Sequence, residues 1–415
     1  MSRALSLLFP AGCLCFAILL GLPGAIYAPD AGYYRLLALA QRSAVPAPFS
    51  ARILAPALAG FLGRATGLGV DNGFLGLGVV CLVALVALLA GLLWSWRAPT
   101  AIFAAIFLMP FWIDTFHDYY LPDLLHAAIL AALLLCLFFG HTGLALLLLF
   151  PAYLARESTV LVAFCLIFAC WRRIPWRTAL LGAGALVCAG LLSRHYSQGG
   201  PASVHGMSGG SYILGKLFWS FCKNLLGVPL WSNTLPECSP VWVRALPHGW
   251  HIGAIYPVGI CRPSVWGPAR ILLAWFGIFG IGPALAFALR KRMVAFSRTP
   301  GASPDAVPGA VMVLRFSLLY GIISILMTPL LGASADRLVE YGWPFYFVAM
   351  PWFLFRAYRL QGQRWLIVLA FHLLACWLAW FGFKQQTPWV LSAGFAVLAL
   401  NGLSYFTVTR SYQLP

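Results

Sequence analysis

The residues of this chain that could do chemistry are a few acids set among long apolar runs. Asp30 stands in "YAPDAGYYRLLALAQR", directly before a run of Ala, Tyr and Leu. A carboxylate there could act as a general base that takes a proton from a hydroxyl group. It could instead cap a helix by accepting hydrogen bonds from the first backbone N–H groups. No Glu or Gln stands three residues later, so a full capping box is absent. Both roles stay open for Asp30.

A second acidic stretch is "WIDTFHDYYLPDLLHA", which brings together Asp114, His117, Asp118 and Asp123. Asp114 and Asp118 are four residues apart, so they share a face if one helix contains both. Ionisable groups at the edge of a membrane are costly and are therefore candidates for function. Carboxylates and a histidine could hold a divalent metal ion here. The alternative is a solvated loop at the mouth of a helical bundle.

The third group is the pair Arg156 and Glu157 in "LARESTVL". The apolar flanks, 143–155 and 158–171, are each roughly 20 Å long as helices, which is less than the roughly 30 Å of hydrocarbon in a bilayer. We therefore expect the pair at a hairpin tip below the outer surface, inside protein or a water-lined cavity. The two side chains could staple the hairpin as a mutual ion pair. They could also form part of a polar pocket.

Arginine is the basic residue that accompanies these acids. A guanidinium group can hold phosphate oxygens with two parallel hydrogen bonds. Any single arginine could instead snorkel or bind a lipid headgroup. Together with the acids, the arginines predict a site that holds a phosphate and removes a proton. The candidates are Arg35, Arg42, Arg52, Arg194 and Arg337.

Composition decides what must position these residues. The chain is 62% hydrophobic and 9% charged, which excludes a soluble globular protein. Repeated apolar runs separated by short Arg-rich loops predict an all-α, polytopic membrane bundle, since a barrel would show short alternating segments. The chain has 27 Lys and Arg against 10 Asp and Glu, an excess that favours contact with anionic membrane lipids. No nucleic-acid motif is present, so nucleic acid is not an expected partner.

About 11–13 spans are expected. The run at 5–27 is too long for the apolar core of a signal peptide, so we predict a retained first span. The full set of predicted segments is 5–27, 73–94, 99–115, 122–139, 143–155, 158–171, 178–193, 268–289, 310–331, 342–358, 365–383 and 388–407.

Loop charges predict the orientation. The loops at 171–177, 290–298 and 356–364 are dense in positive charge and fall on one side of the membrane if the N-terminus is cytoplasmic. Of the ten acids, only Asp305 then lies on the inner side. The chemistry is therefore expected on the outer face, where the other nine acids lie: Asp30, Asp71, Asp114, Asp118, Asp123, Glu157, Glu237, Asp336 and Glu340.

We expect one membrane domain over 1–415 with three outer segments. They are 28–72, with one or two juxtamembrane helices; the acidic loop 114–123; and the long loop 194–267. Cys238 and Cys261 lie in the long loop and would face an oxidising compartment, which favours a disulfide. Two free thiols are the alternative, because spacing alone does not set connectivity.

The order of motifs resembles the GT-C superfamily of integral-membrane glycosyltransferases, in particular the bacterial members that use polyprenyl-phosphate sugars. The motifs are "PDAGYY", "PFSARILAPALA", "FHDYYLPD", "RES" and "ADRLVEYGWPFYF". The resemblance implies that Asp30 is the catalytic base of an inverting transfer. It also implies a donor-phosphate site at Arg52, Arg156 and Arg337. Acceptor or sugar contacts would come from Tyr33, Tyr34, His117, Asp118, Asp123, Glu157 and Tyr341.

The resemblance also implies the setting and the partners. The protein would lie in the bacterial inner membrane with its active site facing the periplasm, and would bind a polyprenyl-phosphate sugar. The acceptor would be a glycolipid, a polysaccharide or a surface protein. The resemblance implies no required cofactor, because many relatives with a monophosphate donor need no metal. A divalent metal stays open as an alternative. The absence of a WWD-type motif argues against N-glycan transfer.

Two alternatives remain. A polysaccharide polymerase or ligase would also use a lipid-linked glycan on the outer face. A flippase or transporter of a lipid-linked sugar would also have broken helices and buried charges, but transporters often contain internal repeats, and none is evident here.

Overall fold

The structure is a computed structural model, and it is dominated by α-helices. It describes residues 30–96, 100–170, 173–198, 209–231, 238, 244–245, 259–298, 308–331, 335–353, 364–384 and 387–410. The predicted first span at 5–27 lies outside the described residues, as does the end of the predicted span at 342–358.

The chain divides into two compact units. Unit 1 consists of 1–201, 290–321 and 344–360, and unit 2 of 202–289, 322–343 and 361–415. The prediction of a single membrane domain stays a prediction.

The described part of unit 1 begins with two short helices and a long one. α1 is Ala31–Ala38, α2 is Leu54–Thr66 and α3 is Val70–Ser95, with 3-10 turns at Arg42–Ala44 and Phe49–Ala51 between α1 and α2. Apolar and small residues make α3 long enough to cross a bilayer. The described residues 30–69 thus contain two α-helices before α3; that these helices lie at the outer membrane surface stays a prediction.

Glycines allow α2 to lie directly against α3. A Cβ atom at Gly73 would come within 3 Å of the Ala59 carbonyl and the Gly63 backbone. α1 also packs on α2, and a Cβ at Gly60 would collide with the Ala38 carbonyl. The small residues of α2 therefore hold α1, and with it Asp30, in a fixed place on unit 1.

Six shorter helices follow in unit 1: α4 (Thr100–Phe107), α5 (Phe111–His117), α6 (Asp123–Phe138), α7 (Thr142–Leu147), α8 (Leu149–Ala155) and α9 (Thr159–Cys170). The predicted continuous span at 99–115 is wrong, because the chain leaves the helix between α4 and α5. Pro110 explains the break, since proline cannot donate a backbone hydrogen bond to a continuing helix.

The remaining helices include most of the long apolar ones. They are α10 (Trp176–Ser197), α11 (Gly209–Asn224), α12 (Trp266–Gly277), α13 (Gly282–Arg298), α14 (Pro308–Leu331), α15 (Ala335–Glu340), α16 (Met350–Trp352), α17 (Arg364–Lys384) and α18 (Thr387–Arg410). A π-helical turn at Phe345–Ala349 precedes α16. In unit 2, three two-residue strands form an antiparallel sheet in the order β1-β3-β2: β1 (Leu230–Trp231), β2 (Arg244–Ala245) and β3 (Gly259–Ile260).

The predicted span at 268–289 is bent rather than straight. α12 and α13 meet at an angle of 69°. Gly280 lies between them with φ +60°, a left-handed conformation that glycine adopts without strain. A Cβ atom there would also collide with His372 and Cys376 of α17. The bend is therefore fixed by packing within unit 2.

Five helices of the described chain are long and apolar enough to cross a membrane. A sixth is possible if the bent pair of α12 and α13 counts as one span. α6, α9 and the α7–α8 pair are apolar but shorter. The protein is therefore a multi-pass, all-α membrane protein, and the figure of 11–13 spans stays a prediction. The five helices are 70–95, 176–197, 309–331, 366–383 and 389–409.

Candidate functional site

The centre of the candidate site is a largely buried arginine that joins two of the predicted motifs. Arg52 donates from Nε to Glu157 Oε2 over 2.7 Å, and its Nη2 donates to Glu157 Oε1. Its Nη1 donates to the Tyr34 hydroxyl oxygen over 2.8 Å. Three segments of unit 1 that are distant in sequence therefore meet at one guanidinium group.

Local structure fixes Arg52 in this place. It directly follows the 3-10 turn at Phe49–Ala51, and the Ala51 carbonyl accepts a hydrogen bond from Ser193 Oγ of α10 over 3.0 Å. Its guanidinium carbon lies 5.6 Å from the Phe49 ring centroid. Only 12% of the Arg52 side chain is exposed, so its charge is largely removed from water.

Aromatic packing holds α1 against the same turn. The Tyr33 ring stacks on Phe49 with centroids 4.9 Å apart, and Tyr34 meets Phe49 edge-on at 5.9 Å. Tyr34 is fully buried. These two tyrosines, one turn after Asp30, are thereby fixed relative to Arg52.

The charges of this network stabilise one another. Burial acts to raise the pKa of Glu157, but the Arg52 hydrogen bonds and the positive charges of Arg52 and Arg156 outweigh burial and lower this pKa to about 2. Burial acts to lower the pKa of Arg52, but Tyr34 and Glu157 outweigh it and raise the pKa well above its usual range. The ion pair is therefore fully charged at neutral pH.

The lowered pKa of Glu157 predicts a pH-dependent contribution to stability. Its ordinary pKa is 4.5 and its folded value is about 2, so the contribution is present above pH 4.5 and is lost as the pH falls towards 2. We expect Glu157→Gln to be less stable than wild type at pH 7, with the difference shrinking as the pH is lowered. Thermal unfolding in detergent at several pH values measures this; a difference that does not change with pH would contradict it.

A second ion pair lies beside the first. Arg156 pairs with Asp123 at the start of α6, and their side chains are 11% and 16% exposed. Thr159 Oγ1 donates to the Arg156 carbonyl over 2.8 Å, and His126 Nε2 lies 3.1 Å from Thr159 Oγ1. Arg156 and Glu157 thus pair with other elements, which ties the hairpin tip to α6 and to Arg52.

The sequence did not predict a third pair, Arg35 and Asp71, although Arg35 was among the candidate arginines. Arg35 donates to both Asp71 oxygens over 2.8 and 2.9 Å, and the Tyr120 hydroxyl donates to Asp71 Oδ1 over 3.0 Å. This pair is more exposed and links α1 to α3. The sequence pointed to part of this contact, since Tyr120 lies in the acidic stretch and Asp71 was among the predicted outer-face acids.

Asp30 stands at the N-cap position of a helix, but its side chain does not cap that helix. It immediately precedes α1, and its carbonyl accepts from the Tyr33 N–H over 3.1 Å. Its carboxylate makes no capping hydrogen bond, so the expectation of a side-chain cap is wrong. Its backbone is already helical (φ −80°, ψ −13°), whereas a capping side chain needs the extended backbone of an N-cap. The negative charge of Asp30 helps to raise the pKa of Tyr34, which burial raises most.

The acidic stretch is only partly helical. α5 ends at His117 and Asp118 has left the helix, so the shared helical face of Asp114 and Asp118 does not exist. Within the part of the chain that is described, no three His, Cys, Asp or Glu side chains gather in a metal-binding group. Both ring nitrogens of His117 are buried without a hydrogen-bond partner among the described residues.

The remaining predicted residues lie in unit 2. Arg337 is on α15, and Tyr341 follows that helix. The predicted roles of Arg337 and Tyr341 stay predictions. Unit 2 also contains a disulfide between Cys238 and Cys261, the pair that the sequence put forward.

The disulfide carries a prediction of its own. Replacing both cysteines, in the variant C238S/C261S, should lower the free energy of unfolding by about 3 kcal/mol, because the bond closes a loop with a sequence separation of 23 residues. Chemical unfolding in detergent measures the loss. Cys188→Ser is the control, since Cys188 is a free, exposed thiol. Equal stability of the double variant and wild type would contradict the prediction.

No protein-family model, no curated protein sequence and no solved structure matches the chain. The fold and the paired charges together define a multi-pass α-helical membrane protein with a polar network in unit 1.

Proposed function

We propose that this protein is a membrane glycosyltransferase. It moves a sugar from a polyprenyl-phosphate donor to an acceptor hydroxyl, with Asp30 as the general base, on the periplasmic side of a bacterial inner membrane. The transfer is a single displacement: the acceptor oxygen attacks the anomeric carbon, its proton goes to Asp30, and polyprenyl phosphate leaves with the bonding electrons. The sugar is therefore delivered with inverted configuration.

One observation carries the proposal. Asp71, Asp123 and Glu157 are each held in an ion pair with an arginine. The Asp30 carboxylate makes no capping hydrogen bond and takes part in none of the ion pairs seen among the described residues. A general base must keep an oxygen available for the proton that it accepts. The Asp30 carboxylate therefore has an oxygen available for that proton. The hydrogen bonds of Arg52 to Tyr34 and Glu157 hold the neighbouring residues in place.

The network has a positioning role in this proposal. Tyr34 lies on the first turn of α1 and is tied to Arg52, which is tied to Glu157. A rigid set of neighbours keeps the base in place for attack, and misplacement by about 1 Å can reduce a rate by roughly 100-fold. Tyr33 stacks on Phe49 and is more exposed than Tyr34. It is therefore available to contact the acceptor or sugar.

The predicted phosphate contacts need one refinement. Arg52 commits Nε, Nη1 and Nη2 to Glu157 and Tyr34. In this arrangement a donor phosphate would meet Arg52 through its positive charge, or by displacing one partner. The same holds for Arg156, which pairs with Asp123. Neutralising the leaving phosphate is the larger electrostatic task of such a transfer.

The test is a transfer assay in proteoliposomes with a set of polyprenyl-phosphate sugars and candidate acceptors. The proposal expects a covalent glycoside and release of polyprenyl phosphate. Movement of the intact donor between leaflets with no covalent product would favour the flippase and overturn the transferase. Activity only with diphosphate-linked oligosaccharides would favour the polymerase or ligase.

A further inference from the structure

Two buried polar side chains lie behind the hairpin tip at 156–158, and the proposed function gives neither of them a role. His126 is near the start of α6 and is 2% exposed, and Thr159 begins α9 and is fully buried. His126 Nε2 lies 3.1 Å from Thr159 Oγ1. Buried polar groups are normally hydrogen-bonded, because leaving one unpaired costs stability. This contact is therefore a hydrogen bond whose direction matters.

The direction follows from the protons that are available. Thr159 Oγ1 donates to the Arg156 carbonyl over 2.8 Å, and a hydroxyl group has only one proton to donate. Thr159 Oγ1 therefore accepts from His126, which assigns a proton to the Nε2 atom of that ring. The result is a chain of two hydrogen bonds, from His126 to Thr159 and from Thr159 to the backbone of Arg156.

This chain ends on the backbone of the hairpin tip, between two helices. Arg156 has extended angles, φ −158° and ψ 130°, where α8 has ended and α9 has not yet begun. Its carbonyl also accepts from the Thr159 N–H over 3.1 Å, and its own N–H donates to the Ala152 carbonyl over 2.8 Å. Both backbone polar groups of Arg156 are thus hydrogen-bonded, which fixes the direction in which its side chain leaves the backbone.

The start of α6 holds Arg156 at two points. Asp123 pairs with its guanidinium group, and His126 reaches its backbone through Thr159. Residues three apart in a helix lie on one face, so a single face of α6 orients both the backbone and the side chain of Arg156. Arginine acts on a phosphate through N–H donors of fixed direction. Its orientation therefore decides how well it can bind one.

We propose that His126 is a positioning residue for the donor phosphate. Through Thr159 it holds Arg156 where the guanidinium group meets the phosphate of a polyprenyl-phosphate donor, and it touches neither donor nor acceptor itself. This inference rests on the proposed donor site at Arg156. What the site requires at position 126 is a hydrogen-bond donor at the reach of Nε2, rather than an imidazole ring as such.

The test compares two amide side chains that differ in reach. The amide nitrogen of glutamine is as many bonds from Cα as the Nε2 atom of histidine, whereas that of asparagine is one bond closer. His126→Gln therefore keeps the hydrogen bond to Thr159, and His126→Asn loses it. If His126→Asn fails to fold, Thr159→Val takes its place, with Thr159→Ser as the matched control because serine keeps the hydroxyl group.

Two quantities are measured on the full-length protein in detergent. Native mass spectrometry with polyprenyl phosphate gives the dissociation constant of the folded protein, and hydrogen exchange gives the protection of peptides that contain the Thr159 amide. We expect His126→Asn to weaken binding by about three- to tenfold and to speed exchange by a similar factor, as the loss of one hydrogen bond predicts. His126→Gln should stay close to wild type in both.

Equal binding by His126→Asn and His126→Gln would overturn the proposal, and so would a wild-type protein that does not bind polyprenyl phosphate. Faster exchange in His126→Asn with unchanged binding would also overturn it, since His126 would then only support the fold. The proposed transfer can fail separately. Binding that is weakened in His126→Asn and kept in His126→Gln, with no sugar transfer by the wild type, would support the positioning role and contradict the transferase.

Discussion

Replacing Asp30 with asparagine should reduce glycosyl transfer by about 10²-fold to 10⁴-fold, the usual contribution of a general base. The amide keeps the size of the side chain but cannot accept the acceptor's proton. Because the carboxylate makes no capping hydrogen bond, its replacement should leave the unfolding temperature close to that of wild type. Initial rates in proteoliposomes and thermal unfolding in detergent measure the two quantities on the same preparations.

The matched control is Asp305→Asn, which makes the same chemical change at the acid predicted on the opposite side of the membrane. It should transfer sugar at the wild-type rate. A folded Asp30→Asn protein with wild-type turnover would show that Asp30 is not the base. A variant with both lower activity and much lower stability would assign Asp30 a structural role instead.

Removing Glu157 should clearly lower the stability of the protein. Glu157→Ala leaves Arg52, which is only 12% exposed, without its bidentate partner. Breaking a fully buried pair costs about 3–5 kcal/mol; because the Glu157 side chain is 40% exposed, we expect about 2–3 kcal/mol here. Chemical unfolding in detergent measures the change in the free energy of unfolding.

A double variant and a surface pair make this test specific. R52M/E157A removes the stranded charge as well, so it should be less destabilised than the sum of its two single variants. Arg35→Ala breaks a pair whose side chains are 49% and 43% exposed, and should cost about 1 kcal/mol or less. Equal losses for Glu157→Ala and Arg35→Ala would contradict the account of a buried network.

Much of the helical fold could be predicted from apolar length. The predicted segments 73–94, 178–193, 310–331, 365–383 and 388–407 all fall within long helices. Two breaks were missed although their signals were in the sequence. Pro110 interrupts one segment, and the glycine-rich "FGIFGIGP" interrupts the other, where Gly280 adopts a positive φ. Apolar length alone does not register such breaks, because the residues around them remain hydrophobic.

The pairings within the site could not be predicted in the same way. Arg52 and Glu157 are separated by 105 residues, and only packing in three dimensions selects that partner over Arg156, which is adjacent to Glu157. The residues around Asp30 predict a side-chain cap. Whether a side chain at a helix start accepts those hydrogen bonds depends on the backbone angles of the first turn, which a sequence does not state.

The configuration of the product's anomeric carbon tests the central claim most directly. Asp30 acting as a base in one displacement requires the transferred sugar to have the configuration opposite to that of the donor. NMR of the purified product from a donor of defined configuration measures this, with Asp30→Asn as the accompanying variant. The account predicts an inverted product that Asp30→Asn fails to form at an appreciable rate. A product with retained configuration would contradict it.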